Sequence, residues 1–234
     1  MTTKDNFPWD YINYNSGSRL LWYNNPKCCS TTIKELIGSW EKYHIGSHCK
    51  FKLEKVNDYT SFGFVRNPYE RTFSAYKMLK ILDIKHHISK VRSKSEPNNV
   101  DKFTIYPESN FDKFVDQVCE RKYCNDHIDP QVYYLPVSND IKIDFIGKVE
   151  NFNNDWMTLQ EIINFRPIKN IKDIPKIQPK SLIKNLNSEE KKAKYESIKK
   201  EMNFSTMKKI QDFYKQDFIM FGYDFDDVGD FKIT

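Results

Sequence analysis

Residues 18 to 24, Ser-Arg-Leu-Leu-Trp-Tyr-Asn, form a short apolar run that stops at Asn24-Asn25-Pro26, the signature of a buried strand ending in a loop. Ile33, Leu36, Ile37 and Trp40 then recur at helical spacing, predicting a helix from about Thr31 to Tyr43. Phe51 to Val56 is a weaker strand candidate, and Thr60 to Arg66 a stronger one that ends at Asn67-Pro68. A second helix follows, with Phe73, Tyr76, Leu79 and Leu82 on one side. Two strand-to-helix turns this early argue for βαβ units and parallel strands.

The middle of the chain is less regular. Residues 83 to 109 are polar and basic and read as a long loop or a partly helical excursion. Ser109 or Asn110 can cap a helix to about Glu120, Ile141 to Gly147 is a further strand, and Asn153 or Asn154 can cap a helix through Ile163. Residues 166 to 184 are rich in Lys, Ile and Pro and read as irregular. Helices at about Ser188 to Met202 and Ser205 to Phe218 complete the pattern. No repeat or composition break marks a boundary, so residues 1 to 234 are expected to form a single α/β domain, a P-loop-like central parallel sheet flanked by helices.

Composition narrows the function classes. With 39% hydrophobic and 15% aromatic residues the chain is neither membrane-spanning nor disordered. Nothing approaches the roughly 18 to 20 apolar residues of a bilayer helix, and the start, MTTKDNFPWD, lacks a signal-peptide layout. The expectation is therefore a cytoplasmic protein, or a Golgi-lumen one only if the chain is a truncated catalytic domain. The five cysteines are odd in number and lack zinc-ligand spacing, so they read as reduced thiols with no metal role. Net charge is +5, yet arginine stands only at positions 19, 66, 71, 92, 121 and 166.

Two turns carry the candidate chemistry. The first reads Asn25-Pro26-Lys27-Cys28-Cys29-Ser30-Thr31-Thr32. A lysine at the loop entrance, three hydroxyl residues and the unpaired N–H groups of a helix start make an anion cradle. A nucleotide triphosphatase loop would place glycines first and the lysine last; here the lysine leads and no glycine is present. The plainer alternative is that Ser30 or Thr31 merely caps the helix. The second turn, Phe62 to Tyr76, holds two of the six arginines and Ser74. Arg66 at a strand's carboxyl end, with Ser74 two helical turns on, can converge on a second anion, or Arg66 can pair with Glu70.

Together the segments resemble the PAPS-dependent sulfotransferases, which use 3′-phosphoadenosine 5′-phosphosulfate (PAPS). The first is similar to that family's P-K-x-x-[ST]-[ST] phosphosulfate loop, the second to its F-V-R-[DN]-P-[FY]-x-R-x-x-S-A-[FY] motif. Segments 126 to 131, 144 to 152 and 214 to 223 resemble the carbohydrate branch containing the heparan sulfate 2-O, chondroitin and HNK-1 enzymes, so the likeness runs over about residues 18 to 225. It implies that Lys27 contacts the 5′-phosphate and bridging oxygen, and that Cys28, Cys29, Ser30, Thr31 and Thr32 form the loop around the phosphosulfate. Arg66 and Ser74 would hold the 3′-phosphate, and Lys176 and Lys180 could close over it or belong to a solvated loop. No metal is implied, and the product would be adenosine 3′,5′-bisphosphate.

The implied acceptor is a hydroxyl, and a carbohydrate by the branch resemblance. His48 and His127 are the candidate catalytic bases, with His44 and Glu54 behind them. Either cysteine at the helix start could have a lowered pKa and sense oxidation. Gly147 to Phe152 could line an adenine pocket, unless Glu150 simply pairs with a lysine. The competing readings are a P-loop kinase acting on a small molecule and a non-catalytic anion- or nucleic-acid-binding module. Arginines inside a nucleotide-type motif, rather than along a stripe, argue against nucleic acid.

Overall fold

The computed structural model describes residues 12–38, 41–42, 58–81, 110–119, 127–135, 143–163 and 198–234. The chain divides into two compact units. The first holds residues up to Asn67, Pro130–Pro179 and Gln216–Tyr223; the second holds Pro68–Asp129, Lys180–Lys215 and Asp224–Thr234.

The first unit is built on a sheet whose described strands are β1 (Ile12–Asn15), β2 (Leu20–Tyr23), β3 (Glu41–Lys42), β4 (Thr60–Val65) and β5 (Phe145–Lys148), in the order β3-β1-β2-β4-β5. β2, β4 and β5 are parallel, with Tyr23 opposite Gly63 and Val65 opposite Lys148. β1 is antiparallel to both β2 and β3. The expected parallel core is present, and β1, antiparallel to both of its neighbours, extends it together with β3 into a mixed α/β sheet flanked by helices. Every residue of β2 is buried, as a strand covered on both faces requires.

Alternation sorts the side chains. Leu20, Trp22, Phe62 and Phe64 face helices α1 (Ser30–Ile37) and α4 (Phe152–Ile163) through Ile33, Leu36, Trp156 and Leu159. Leu21, Tyr23 and Val65 face Leu135 and Phe221 on the other side. Each such burial contributes about 1.5–3 kcal/mol against about 1 for a hydrogen bond, so these two layers dominate the stability of the unit. A methyl group on Gly147 would run into the Phe64 ring, so glycine is what lets β5 lie against β4 there.

In the second unit α2 (Pro68–Ile81), α3 (Phe111–Cys119) and α5 (Phe204–Phe213) pack around Phe73, Tyr76, Phe111, Phe114 and Phe231. Asn110 caps α3 by accepting from the Lys113 N–H, and Asn203 caps α5 by accepting from Thr206. β6 (Glu201–Met202) pairs in parallel with β7 (Lys232–Ile233). The last described helix, α6, is Lys215–Phe221.

Several expected boundaries move. α1 stops at Ile37 because Gly38 takes φ 85° and closes the helix, so the helix does not reach Tyr43. α4 begins at Phe152, after a 3-10 turn over Val149–Asn151; Asn153 and Asn154 lie inside its first turn. Of the helix expected over Ser188 to Met202, the described residues 198–202 are not helical and end in β6, and the helix expected over Ser205 to Phe218 is two helices broken at Tyr214. Of the strand expected over Ile141 to Gly147, the described part is β5, Phe145–Lys148. The segments 51 to 56, 83 to 109 and 166 to 184, read above as a strand, a long loop and an irregular stretch, lie outside the described residues. Among the described residues no helix is long and apolar enough to cross a membrane.

Candidate functional site

Because β2, β4 and β5 are parallel neighbours, the residues that follow them share one edge of the sheet: Asn24–Cys29, Arg66–Asn67 and Val149–Asn151. This carboxyl edge is where open α/β sheets bind ligands. After β2 the chain turns, with Cys28 N–H donating to the Asn25 carbonyl at 3.2 Å. Lys27 (φ 68°) and Cys29 (φ 60°) both adopt the left-handed conformation without being glycine, at about 1–3 kcal/mol each. Cys28 between them is buried and its Sγ lies 3.3 Å from Gln131 Oε1.

α1 opens directly from this turn. Cys29 is its N-cap and supplies no side-chain cap, and the first intrahelical bond runs from Ile33 N–H to the Cys29 carbonyl at 3.0 Å. The N–H groups of Ser30, Thr31 and Thr32 therefore have no intrahelical acceptor, at the end of the helix carrying about half a positive charge. Simple capping by Ser30 or Thr31 is thus not what is found. The Ser30 hydroxyl donates to Asn24 Oδ1 at 2.6 Å, Thr32 is buried, and Thr31 is exposed.

Gln131, wholly buried, binds this turn to the end of β4. Its Nε2 donates to the Arg66 carbonyl at 2.7 Å, while its Oε1 accepts from Arg66 N–H at 2.9 Å and from Asn25 Nδ2 at 3.0 Å. Asn25 Nδ2 also donates to the Phe64 carbonyl at 3.1 Å. Buried Asp217 fixes Gln131 in turn, accepting from the backbone N–H groups of Gln131 at 2.8 Å and Val132 at 3.0 Å.

The third loop carries the opposite charge. Glu150 accepts from Asn67 N–H at 2.7 Å and from the Tyr223 hydroxyl at 3.0 Å, so it is held by these donors rather than by the lysine expected for it. Lys148 lies 4.4 Å over the Tyr223 ring and donates to the Gly222 carbonyl at 3.1 Å. Burial pushes the Cys29 thiol up to about 11; the Arg66 guanidinium pulls it down and the Glu150 carboxylate pushes it further up. The alternative of a lowered thiol at the helix start is not what is found for Cys29, because desolvation outweighs the pull of Arg66. Burial, Glu150 and Cys28 likewise hold the Tyr223 hydroxyl far above the usual phenol range.

The edge thus brings Lys27, Cys28, Cys29, Ser30, Thr31, Thr32 and Arg66 together in the first unit. Ser74 is half-buried on α2 in the second unit. Arg71, also there, is buried and donates to the Asp129 carbonyl at 2.7 Å. Glu70, weighed as a partner for Arg66, ion-pairs with Lys200. His127 opens a turn anchored by Arg71 at Asp129 and by the Tyr214 hydroxyl at the Ile128 carbonyl, 2.6 Å. His48, His44, Glu54, Lys176 and Lys180 lie outside the described residues.

Sequence reasoning missed Gln131 and Asp217. Asp217 left a signal: it shares an apolar stripe with Tyr214, Phe218 and Phe221, where an acid needs buried donors. Gln131 ends the 126 to 131 segment already singled out by resemblance, but its role left no local signal, since its partners are 65 and 106 residues away.

No curated protein and no solved structure gives a match to the chain. The family model described as the sulfotransferase family matches residues 10–224, which include β1, both strand-to-helix turns, the Gln131 segment and α6. With a match that takes in nearly the whole chain and an edge of three parallel strands built around a cationic, donor-rich turn, the chain belongs to the sulfotransferase family.

Proposed function

We propose that this sulfotransferase moves a sulfuryl group from PAPS to a hydroxyl on a carbohydrate. The observation that carries the donor assignment is the Lys27 turn: an ammonium group, two left-handed residues and three N–H groups without an intrahelical acceptor at one helix start. That donor set fits a phosphosulfate, an anion with oxygens on several sides. When bound, PAPS supplies the sulfuryl group and a phosphate on which negative charge grows as the bond to sulfur breaks.

Lys27 and the N–H groups of Ser30, Thr31 and Thr32 are fixed donors for that charge, with the exposed Thr31 hydroxyl beside them and Cys28 and Cys29 shaping the loop. Preorganised donors of this kind act mainly on the transition state. The motif resemblance supports Arg66 and Ser74 as the residues for the 3′-phosphate, with Lys176 and Lys180 as further candidates for it. His48 or His127 takes the acceptor proton, a role contributing about 10²–10⁴-fold. The carbohydrate acceptor is supported by the likeness of the 126 to 131, 144 to 152 and 214 to 223 segments to the carbohydrate branch.

Calorimetric titration with adenosine 3′,5′-bisphosphate and with ATP tests the donor. The bisphosphate should bind more tightly; preference for ATP, or binding of neither, would sink the reading. The base is assigned by turnover of His48→Ala and His127→Ala at saturating acceptor. One should fall at least about a hundredfold, and equal mild losses would remove both from catalysis.

A further inference from the structure

Gln131 has a role that neither the family match nor the donor chemistry assigns. Its side chain is wholly buried and grips both backbone polar groups of one residue, the N–H and the carbonyl of Arg66. That double contact fixes the amide's orientation, since a flip would set donor against donor and acceptor against acceptor. The same Oε1 accepts from Asn25 and lies within reach of the Cys28 thiol, the residues two before and one after Lys27. One side chain therefore sets where Arg66 stands relative to Lys27. Its own main chain is pinned by the two oxygens of Asp217, directly and through Val132, so the reference point does not drift.

We infer that Gln131 is a positioning residue that fixes the spacing of the Lys27 turn and Arg66, and thereby makes the protein select nucleotides carrying both a 5′ and a 3′ phosphate. The inference rests on the two-anion reading of the site. A ligand with two anions gains from two cations only if their separation is set before it arrives; otherwise ordering the second contact consumes the gain. A nucleotide with a 5′ anion alone engages the Lys27 turn and is indifferent to that separation. Loss of the clamp should therefore reduce discrimination rather than binding in general, and this separates positioning from a role in stability alone.

The test compares adenosine 3′,5′-bisphosphate with adenosine 5′-monophosphate by calorimetry in the full chain. In Gln131→Met, close in size but unable to make the clamp, the affinity ratio should fall about tenfold while the monophosphate constant changes less than about threefold, a loss of the order expected for buried hydrogen bonds to one residue. Gln131→Glu keeps the shape and the acceptor but not the donor to the Arg66 carbonyl. It should lower the ratio less, and it carries the test if the methionine variant does not fold. A ratio unchanged in the folded variants, or both ligands weakened by the same factor, would overturn the inference alone. A wild-type ratio near one would instead overturn the 3′-phosphate site itself, and the inference with it.

Discussion

The two strand-to-helix turns at the sheet edge solve the same problem in opposite ways. Between Tyr23 and Ser30 the chain spends residues 24 to 29 on the turn, holds two of them left-handed, and leaves the helix-start N–H groups uncommitted. Between Val65 and Pro68 it uses only Arg66 and Asn67, neither left-handed, and both N–H groups are committed, to Gln131 and Glu150. The first turn can grip an anion with its backbone. At Arg66 and Asn67 the backbone donors are already occupied, so the second turn relies there on side chains, Arg66 first. Backbone strain is found in the turn whose backbone donors are proposed to bind, and that turn is reached without the glycines that usually relieve such strain.

The contrast breaks first at Lys27. Lys27→Ala removes the cation from the turn proposed to meet the leaving-group charge, so turnover should fall about 10²–10³-fold. Alanine is as strained as lysine at φ 68°, so the far-UV circular dichroism and the melting curve should stay close to wild type. Undiminished turnover would show that this turn does not face the reacting phosphate. Arg66→Ala should act more mildly and on binding: a charge-assisted contact is worth about 1.5–3 kcal/mol, so affinity for adenosine 3′,5′-bisphosphate should drop about ten- to a hundredfold. An unaltered affinity would mean the second turn serves the fold and not the ligand.

How much of this was legible follows from the range of the forces involved. β2 and β4 announce themselves as apolar runs and the cations as scarce residue types in strand-to-helix turns. β1 is only four residues, Ile-Asn-Tyr-Asn, with Asn13 buried, and went unseen. Trp40 extended the helical spacing of α1, but Gly38 outweighs it by leaving the helical region. β6 was masked by a helical pattern because its partner, β7, lies some thirty residues on, Glu201 opposite Lys232. The site divides likewise. Lys27 and Arg66 could be read from local chemistry, whereas Gln131 is an uncharged amide whose meaning exists only once β2 and β4 lie side by side.

The finest test of the comparison uses the Cys29 thiol as a meter between the two turns. Held up at about 11 from the ordinary 9.0, it should react slowly with iodoacetamide at pH 7.5 in the native protein, and alkylation should speed up only as pH approaches 11, whereas the denatured chain should react from about pH 9. The sign for stability follows. Above the unfolded value the unfolded chain loses this proton first, so the contribution is complete below about pH 9 and is lost as pH rises through the folded value. Arg66 pulls the thiol down and Glu150 pushes it up, so Arg66→Ala should move the labelling midpoint to higher pH and Glu150→Gln to lower. If neither variant moves it, the charges at the ends of β4 and β5 are not felt at the α1 N-terminus, and the two turns would be neighbours in the sheet without forming one electrostatic site.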